Sequence, residues 1–80
     1  MITKEPIVSE RNRSMELAVN GKQVSLGVGS NLLDLLAGQG LDPAIVVIEV
    51  NRSIIRRDSF GGYSLQAGDS VEILRFVGGG

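Results

Sequence analysis

From Met15 onward the hydrophobic and polar positions fall into a readable order. Met15, Leu17 and Val19 alternate with Glu16 and Ala18, and Val24, Leu26 and Val28 alternate with Ser25 and Gly27. Period-two alternation of this kind predicts two strands, each with one face in a core. Between them stands Asn20-Gly21, a strong hairpin signal because a type I′ turn needs positive φ at both central residues. The period then changes. Leu32, Leu33, Leu35 and Leu36 fall within a helical arc of about 160°, with Asp34 on the opposite side. Ser30 is the expected N-cap. A full capping box counted from Ser30 would need Glu or Gln where Leu33 stands, and it is missing. Gly38 or Gly40 suits the C-cap, and Pro43 cannot extend the helix.

Residues 44–50 are apolar and mostly β-branched apart from Glu49, which predicts a central strand with Val46, Ile48 and Val50 facing the helix. Asn51-Arg52-Ser53 turns the chain, and Ile54-Ile55-Arg56-Arg57 makes a short edge segment. Phe60-Gly61-Gly62-Tyr63 reads as loop and Leu65-Gln66-Ala67-Gly68-Asp69 as a tight turn. Residues 71–76 form the last strand, with Val71 and Ile73 toward the helix and Glu72, Leu74 and Phe76 pointing away. One helix covers one face of such a sheet, so the class is α+β: a mixed four- to five-stranded sheet with one main helix packed on one face. The expected core is Leu17, Val19, Val24, Leu32, Leu36, Ile48, Val50, Val71 and Ile73. Residues 1–14 are polar, charged and without period, and read as a disordered or non-native extension. Residues 15–76 form the domain, and residues 77–80 a flexible glycine tail.

Composition narrows the chemistry. Eighty residues make one small domain. With no Cys and no His, thiol nucleophiles, disulfides, thiolate metal sites and the commonest general base are all excluded, and no metal site is expected. Eight Lys+Arg against nine Asp+Glu leave no basic block for nucleic acid, and no apolar run is long enough for a membrane span. A cytoplasmic monomer is expected. The remaining chemistry lies in Arg75-Phe76-Val77-Gly78-Gly79-Gly80. Beyond Val77 this stretch has no side chains, so its backbone fits a narrow channel. Its one reactive group is the α-carboxylate, ionised at neutral pH and a poor electrophile until an oxygen becomes a leaving group. A frayed terminus is the competing account of the same glycines.

Asn20-Gly21, the Leu-rich helix, Val-Ile-Glu-Val-Asn at 47–51, Leu65-x-x-Gly68-Asp69-x-Val71-Glu72-Ile73 and the closing Phe76-Val77-Gly78-Gly79-Gly80 occur in an order that resembles the ThiS family. Its members are small sulfur carriers of thiamine biosynthesis with a ubiquitin-like β-grasp fold. The likeness covers residues 15–80 and departs at Arg52, where that family usually carries Gly after the Asn. A non-glycine at positive φ is a mild strain, and the turn type there stays open.

The resemblance implies that no residue acts as acid, base or nucleophile and that the chain is a co-substrate with no bound cofactor. An adenylating enzyme related to the ubiquitin-activating enzymes would use MgATP to activate Gly80, with Gly79 and Gly78 giving access. A cysteine desulfurase or rhodanese-type relay would supply sulfur for a thiocarboxylate, and thiazole synthase would accept it. Leu74, Phe76 and Val77 would form the partner-binding patch.

Other readings share these features. One is the small subunit of molybdopterin synthase, and another is a β-grasp carrier feeding a different sulfur route. A ubiquitin-like modifier joined through Gly80 and a β-grasp interaction module with a frayed end complete the set. Three further groups are read as structural. Arg52, Arg56 and Arg57 near Asp58 suit a solvated edge. Asp34 and Asp42 have nothing to bring them together. Gly61-Gly62 and Gly27-x-Gly29 lack the Lys of a phosphate loop.

Overall fold

The computed structural model describes residues 13–76. The elements are β1 (Ser14–Val19), β2 (Lys22–Gly27), α1 (Leu32–Gln39), a 3₁₀ turn (Pro43–Ile45), β3 (Val46–Val50), β4 (Ser53–Ile55), a second 3₁₀ segment (Arg57–Gly62) and β5 (Ser70–Arg75). The strands form one sheet in the order β2-β1-β5-β3-β4. β1 and β5 run parallel, while the other neighbours are antiparallel. The last strand in sequence is thus the central strand in space. The expectation of a central strand at 44–50 is corrected accordingly: β3 is internal, between β5 and β4, and begins only at Val46. Before it, Pro43 supplies a fixed φ and Asp42 accepts a hydrogen bond from the Ala44 N–H at 2.8 Å, which winds Pro43–Ile45 into a 3₁₀ turn.

Both hairpins turn as their sequences dictate. Asn20 (φ 50°) and Gly21 (φ 82°) connect β1 to β2, and Asn51 (φ 51°) and Arg52 (φ 75°) connect β3 to β4. Positive φ at both central residues is the type I′ signature, so Arg52 takes the left-handed region usually left to glycine.

The period-two faces meet α1. Met15, Leu17 and Val19 of β1, Val46, Ile48 and Val50 of β3, and Val71 and Ile73 of β5 are buried together with Leu32, Leu35 and Leu36. Val24, on the edge strand β2, packs against this cluster but is only half-buried. Leu33 is 41% exposed, so the apolar stripe of the helix is narrower than four leucines imply. Its N-cap is Asn31 rather than Ser30. Asn31 Oδ1 accepts from the Asp34 N–H at 2.8 Å and Asp34 Oδ2 accepts from the Asn31 N–H at 2.9 Å, a complete capping box one residue later than expected. Gly40, at φ 70°, closes the helix. Its N–H reaches the Ala37 carbonyl, and the Leu41 N–H reaches that of Leu36 at 2.9 Å, the Schellman arrangement.

Two core residues come from segments that read as loop and turn. Phe60, in the second 3₁₀ segment, is 1% exposed and Leu65 is 2% exposed. The Leu65 N–H donates to the Ser30 carbonyl at 2.9 Å and Asn31 Nδ2 to the Gly61 carbonyl at 3.1 Å, so both segments are tied to the start of α1.

Candidate functional site

The site is the outer face of the sheet where β5 ends. On β5 the inward residues are buried while Ser70, Glu72 and Leu74 face out, as period two requires. Register carries that face onto β3, where Val47 lies opposite Leu74 and Glu49 opposite Glu72. It then passes to β4, where Ile54 lies opposite Glu49. Ile54, Leu74 and Phe76 are 67%, 63% and 57% exposed. Leu74 and Phe76, two exposed apolar side chains at the end of β5, are candidates for a docking patch, with Ile54 two strands away on the same face. Leu74 lies on this face as the alternation predicts, and Phe76 is exposed one residue past the end of β5. Ile54 was not singled out as part of the patch, although Ile55 beside it packs toward the core. Val77, Gly78, Gly79 and Gly80 lie outside the described residues, as does most of the expected 1–14 extension.

β5 is held at its start and its middle by side-chain amides. β1 pairs with it only at Ala18–Ser70 and Val19–Val71. Beyond that the chain turns, and Asn20 continues the pairing: its N–H donates to the Val71 carbonyl, its Oδ1 accepts from the Ile73 N–H at 2.7 Å, and its Nδ2 donates to the Ile73 carbonyl at 3.3 Å. At the start the Asn51 N–H donates to the Ser70 carbonyl, Asn51 Oδ1 accepts from the Ser70 N–H at 2.9 Å, and Asn51 Nδ2 donates to Asp69 Oδ1 at 3.0 Å. Asp69 is 8% exposed and also accepts from the Gln66 N–H, so a buried carboxylate is satisfied from two sides. After Arg75 one more backbone bond forms, from the Phe76 N–H to the Ile45 carbonyl at 2.8 Å.

The other candidate groups are structural. Arg56 and Asp58 approach to 3.6 Å with both side chains largely exposed, a pair of small energetic weight. Arg57 is exposed like its neighbours but is also tied down: its Nε donates to the Pro43 carbonyl at 3.0 Å and its Nη2 to that of Ala44 at 3.3 Å. Asp34 and Asp42 each cap a different helical segment. A Cβ on Gly61 would lie 3.3 Å from Leu33 Cδ1, so that glycine serves packing. Among the described residues no acidic cluster is suited to a metal ion, and no helix is long and apolar enough to cross a membrane.

Comparison with known proteins converges on one description. The ThiS family model matches residues 12–80. The sulfur carrier protein ThiS of Bacillus subtilis is 38% identical over 65 residues, covering 80% of this chain and 98% of that protein. The crystal structure of a thiamine biosynthesis protein (ThiS) from Geobacter metallireducens superposes with a TM-score of 0.71 at 33% identity, covering 82% of this chain and all of that one. The two share the ubiquitin-like β-grasp fold. A thiazole synthase of Magnetococcus marinus is 35% identical over 66 residues, and one of Paramagnetospirillum magneticum 32%. This chain spans only 20% of the length of each.

Proposed function

The chain belongs to the ThiS family of sulfur carriers in thiamine biosynthesis, and from that premise we propose that it carries sulfur as a thiocarboxylate on Gly80. A carboxylate oxygen of Gly80 attacks the α-phosphorus of MgATP in an adenylating enzyme related to the ubiquitin-activating enzymes. Pyrophosphate leaves, and the acyl-adenylate gains the leaving group that a carboxylate lacks. The outer sulfur of a protein persulfide, supplied through a cysteine desulfurase or rhodanese-type relay, then displaces AMP at the acyl carbon, and a second thiol attacks the inner sulfur of the resulting acyl disulfide, leaving the thiocarboxylate on Gly80 and a disulfide on the relay. Gly78 and Gly79 let the backbone pass a narrow channel because neither adds a Cβ. The chain acts as a cytoplasmic co-substrate, monomeric between partners, with the chemistry supplied by the enzymes it visits. Absence of His and Cys agrees with that division of labour.

The observation that carries this reading is the family match extending through residue 80, so that it includes the three glycines. Thiazole synthase as acceptor is supported by the two thiazole synthases that contain a stretch similar to this chain. Leu74, Phe76 and Val77, with Ile54 added, form the docking patch: the exposed Ile54, Leu74 and Phe76 fit a surface that presents Gly80 to a partner.

The test incubates the protein with its adenylating enzyme, MgATP and a sulfur source, then reads the mass of the C-terminal peptide. Sulfur should replace one oxygen at Gly80. Gly79→Val should slow the reaction with the fold intact, because a branched Cβ enters the channel. Phe76→Ala should weaken binding of the adenylating enzyme in a calorimetric titration more than it lowers stability. Equal gain of sulfur by a form lacking Gly80, or by one extended past it, would place the reactive group elsewhere.

A further inference from the structure

Three successive carbonyls of the 3₁₀ turn Pro43–Ile45 are all engaged from outside the turn. Pro43 and Ala44 accept from Arg57 Nε (3.0 Å) and Nη2 (3.3 Å), and Ile45 accepts from the Phe76 N–H (2.8 Å). Inside, the turn has little to hold its shape. The Ile45 N–H donates to the Asp42 carbonyl at 3.1 Å, and the Asp42 side chain caps the Ala44 N–H. Short 3₁₀ turns have poor hydrogen-bond geometry of their own, so the orientation of such a carbonyl depends on external partners. Arg57 is suited to the task because its planar fork spans two acceptors at once, which a lysine ammonium on a flexible stem does not match. Arg56 beside it points to Asp58 instead.

Resting on the carrier reading above, we infer that Arg57 is a positioning residue for the C-terminal segment. By fixing the carbonyls of Pro43 and Ala44 it sets the direction of the Ile45 carbonyl. That carbonyl accepts from the Phe76 N–H, so it fixes the backbone at the last described residue before Val77. Arg57 touches no reacting atom. With that bond loosened, Phe76 has more freedom to lose when a partner binds, a cost charged to binding rather than to the chemical step. The effect should therefore appear in KM and spare kcat.

The experiment compares the full-length parent with Arg57→Ala, Arg57→Lys and, as a control, Arg56→Ala. Amide hydrogen exchange by NMR reads the Phe76 N–H against that of Ile73, which is held by Asn20 instead. Arg57→Ala should speed exchange at Phe76 by roughly tenfold while Ile73 stays as in the parent, since opening is then local. With the adenylating enzyme, KM for this variant should rise roughly three- to tenfold at unchanged kcat. Arg57→Lys should fall between, and Arg56→Ala should match the parent in both readouts. Unchanged exchange at Phe76 in Arg57→Ala would overturn the inference. So would parallel acceleration at Phe76 and Ile73, which marks general loosening, or a loss confined to kcat. If the parent itself is not activated, the carrier reading fails while the exchange arm still decides whether Arg57 holds the exit.

Discussion

Truncating Phe60 to Ala removes a ring that the fold buries to 1% exposure, from a segment with no strand or α-helix of its own. A phenylalanine buries about 150–250 Å², which at about 25 cal/mol per Å² corresponds to an upper bound of about 4–6 kcal/mol. Core Phe→Ala changes typically cost about 3–5 kcal/mol once the residual cavity is included, so the two routes agree. A chain of 80 residues is expected to hold about 4–12 kcal/mol in total. The substitution therefore removes a large part of the stability, and at about 4–8 °C per kcal/mol the midpoint should fall by at least about 12 °C. Phe60→Leu, which keeps most of the volume, should cost less than about 2 kcal/mol. Leu33→Ala is the informative control, because the helical arc places Leu33 with the core leucines while the fold leaves it 41% exposed; its cost should be about 1 kcal/mol or less. Urea unfolding followed by far-ultraviolet circular dichroism, with the slope checked for constancy, measures all three. A Phe60→Ala variant no less stable than Leu33→Ala would refute the placement of the second 3₁₀ segment against α1.

Asp34→Ala deletes half of the capping box and should lower stability by about 0.5–1 kcal/mol, whereas Asn31→Ala also loses the bond to the Gly61 carbonyl and should cost more, up to about 2 kcal/mol; equal values in denaturant titrations would argue against the shared role of Asn31. Glu72→Lys converts a like-charge pair facing Glu49 across β5 and β3 into an opposite-charge pair and should stabilise by roughly 0.2–1 kcal/mol. Thermal scans should show that gain shrinking as salt is raised.

Much of the fold was legible because its signals are local. The alternation in β1 and β5, the Asn20-Gly21 turn and the leucine-rich helix each announce themselves within a few residues, and the glycine ending carried the candidate site. What escaped depends on residues far apart in the chain. Phe60 and Leu65 sit alone among polar and glycine neighbours, so no period marks them. Their burial follows from bonds to Ser30 and Asn31 about thirty residues upstream. The helix cap was readable in principle, since Asn31-x-x-Asp34 is a capping pair displaced by one residue from the one sought. Arg57 looked like its exposed neighbour Arg56 because nothing local reveals the carbonyls of Pro43 and Ala44. Strand order was not available from pattern either, and it moved the centre of the sheet from β3 to β5.

That last difference bears on how the molecule works. The segment that follows β5 could have grown from an edge strand, where one row of backbone bonds holds it and fraying can spread inward. Here it grows from the strand with neighbours on both sides, β1 in parallel and β3 antiparallel. Parallel pairing of the first described strand with the last closes the longest loop in the domain, a costly contact to form. Asn20 secures it: its amide takes both backbone groups of Ile73 where β1 has already turned away. On the far side, Ile45 and Arg57 extend the β3 pairing to Phe76. Ile73 and Phe76 are three residues apart on one chain, held by opposite neighbours. Opening at Phe76 therefore does not reach Ile73 unless the Asn20 clamp opens as well, and the exposed Leu74 between them stays in register with Val47 of β3.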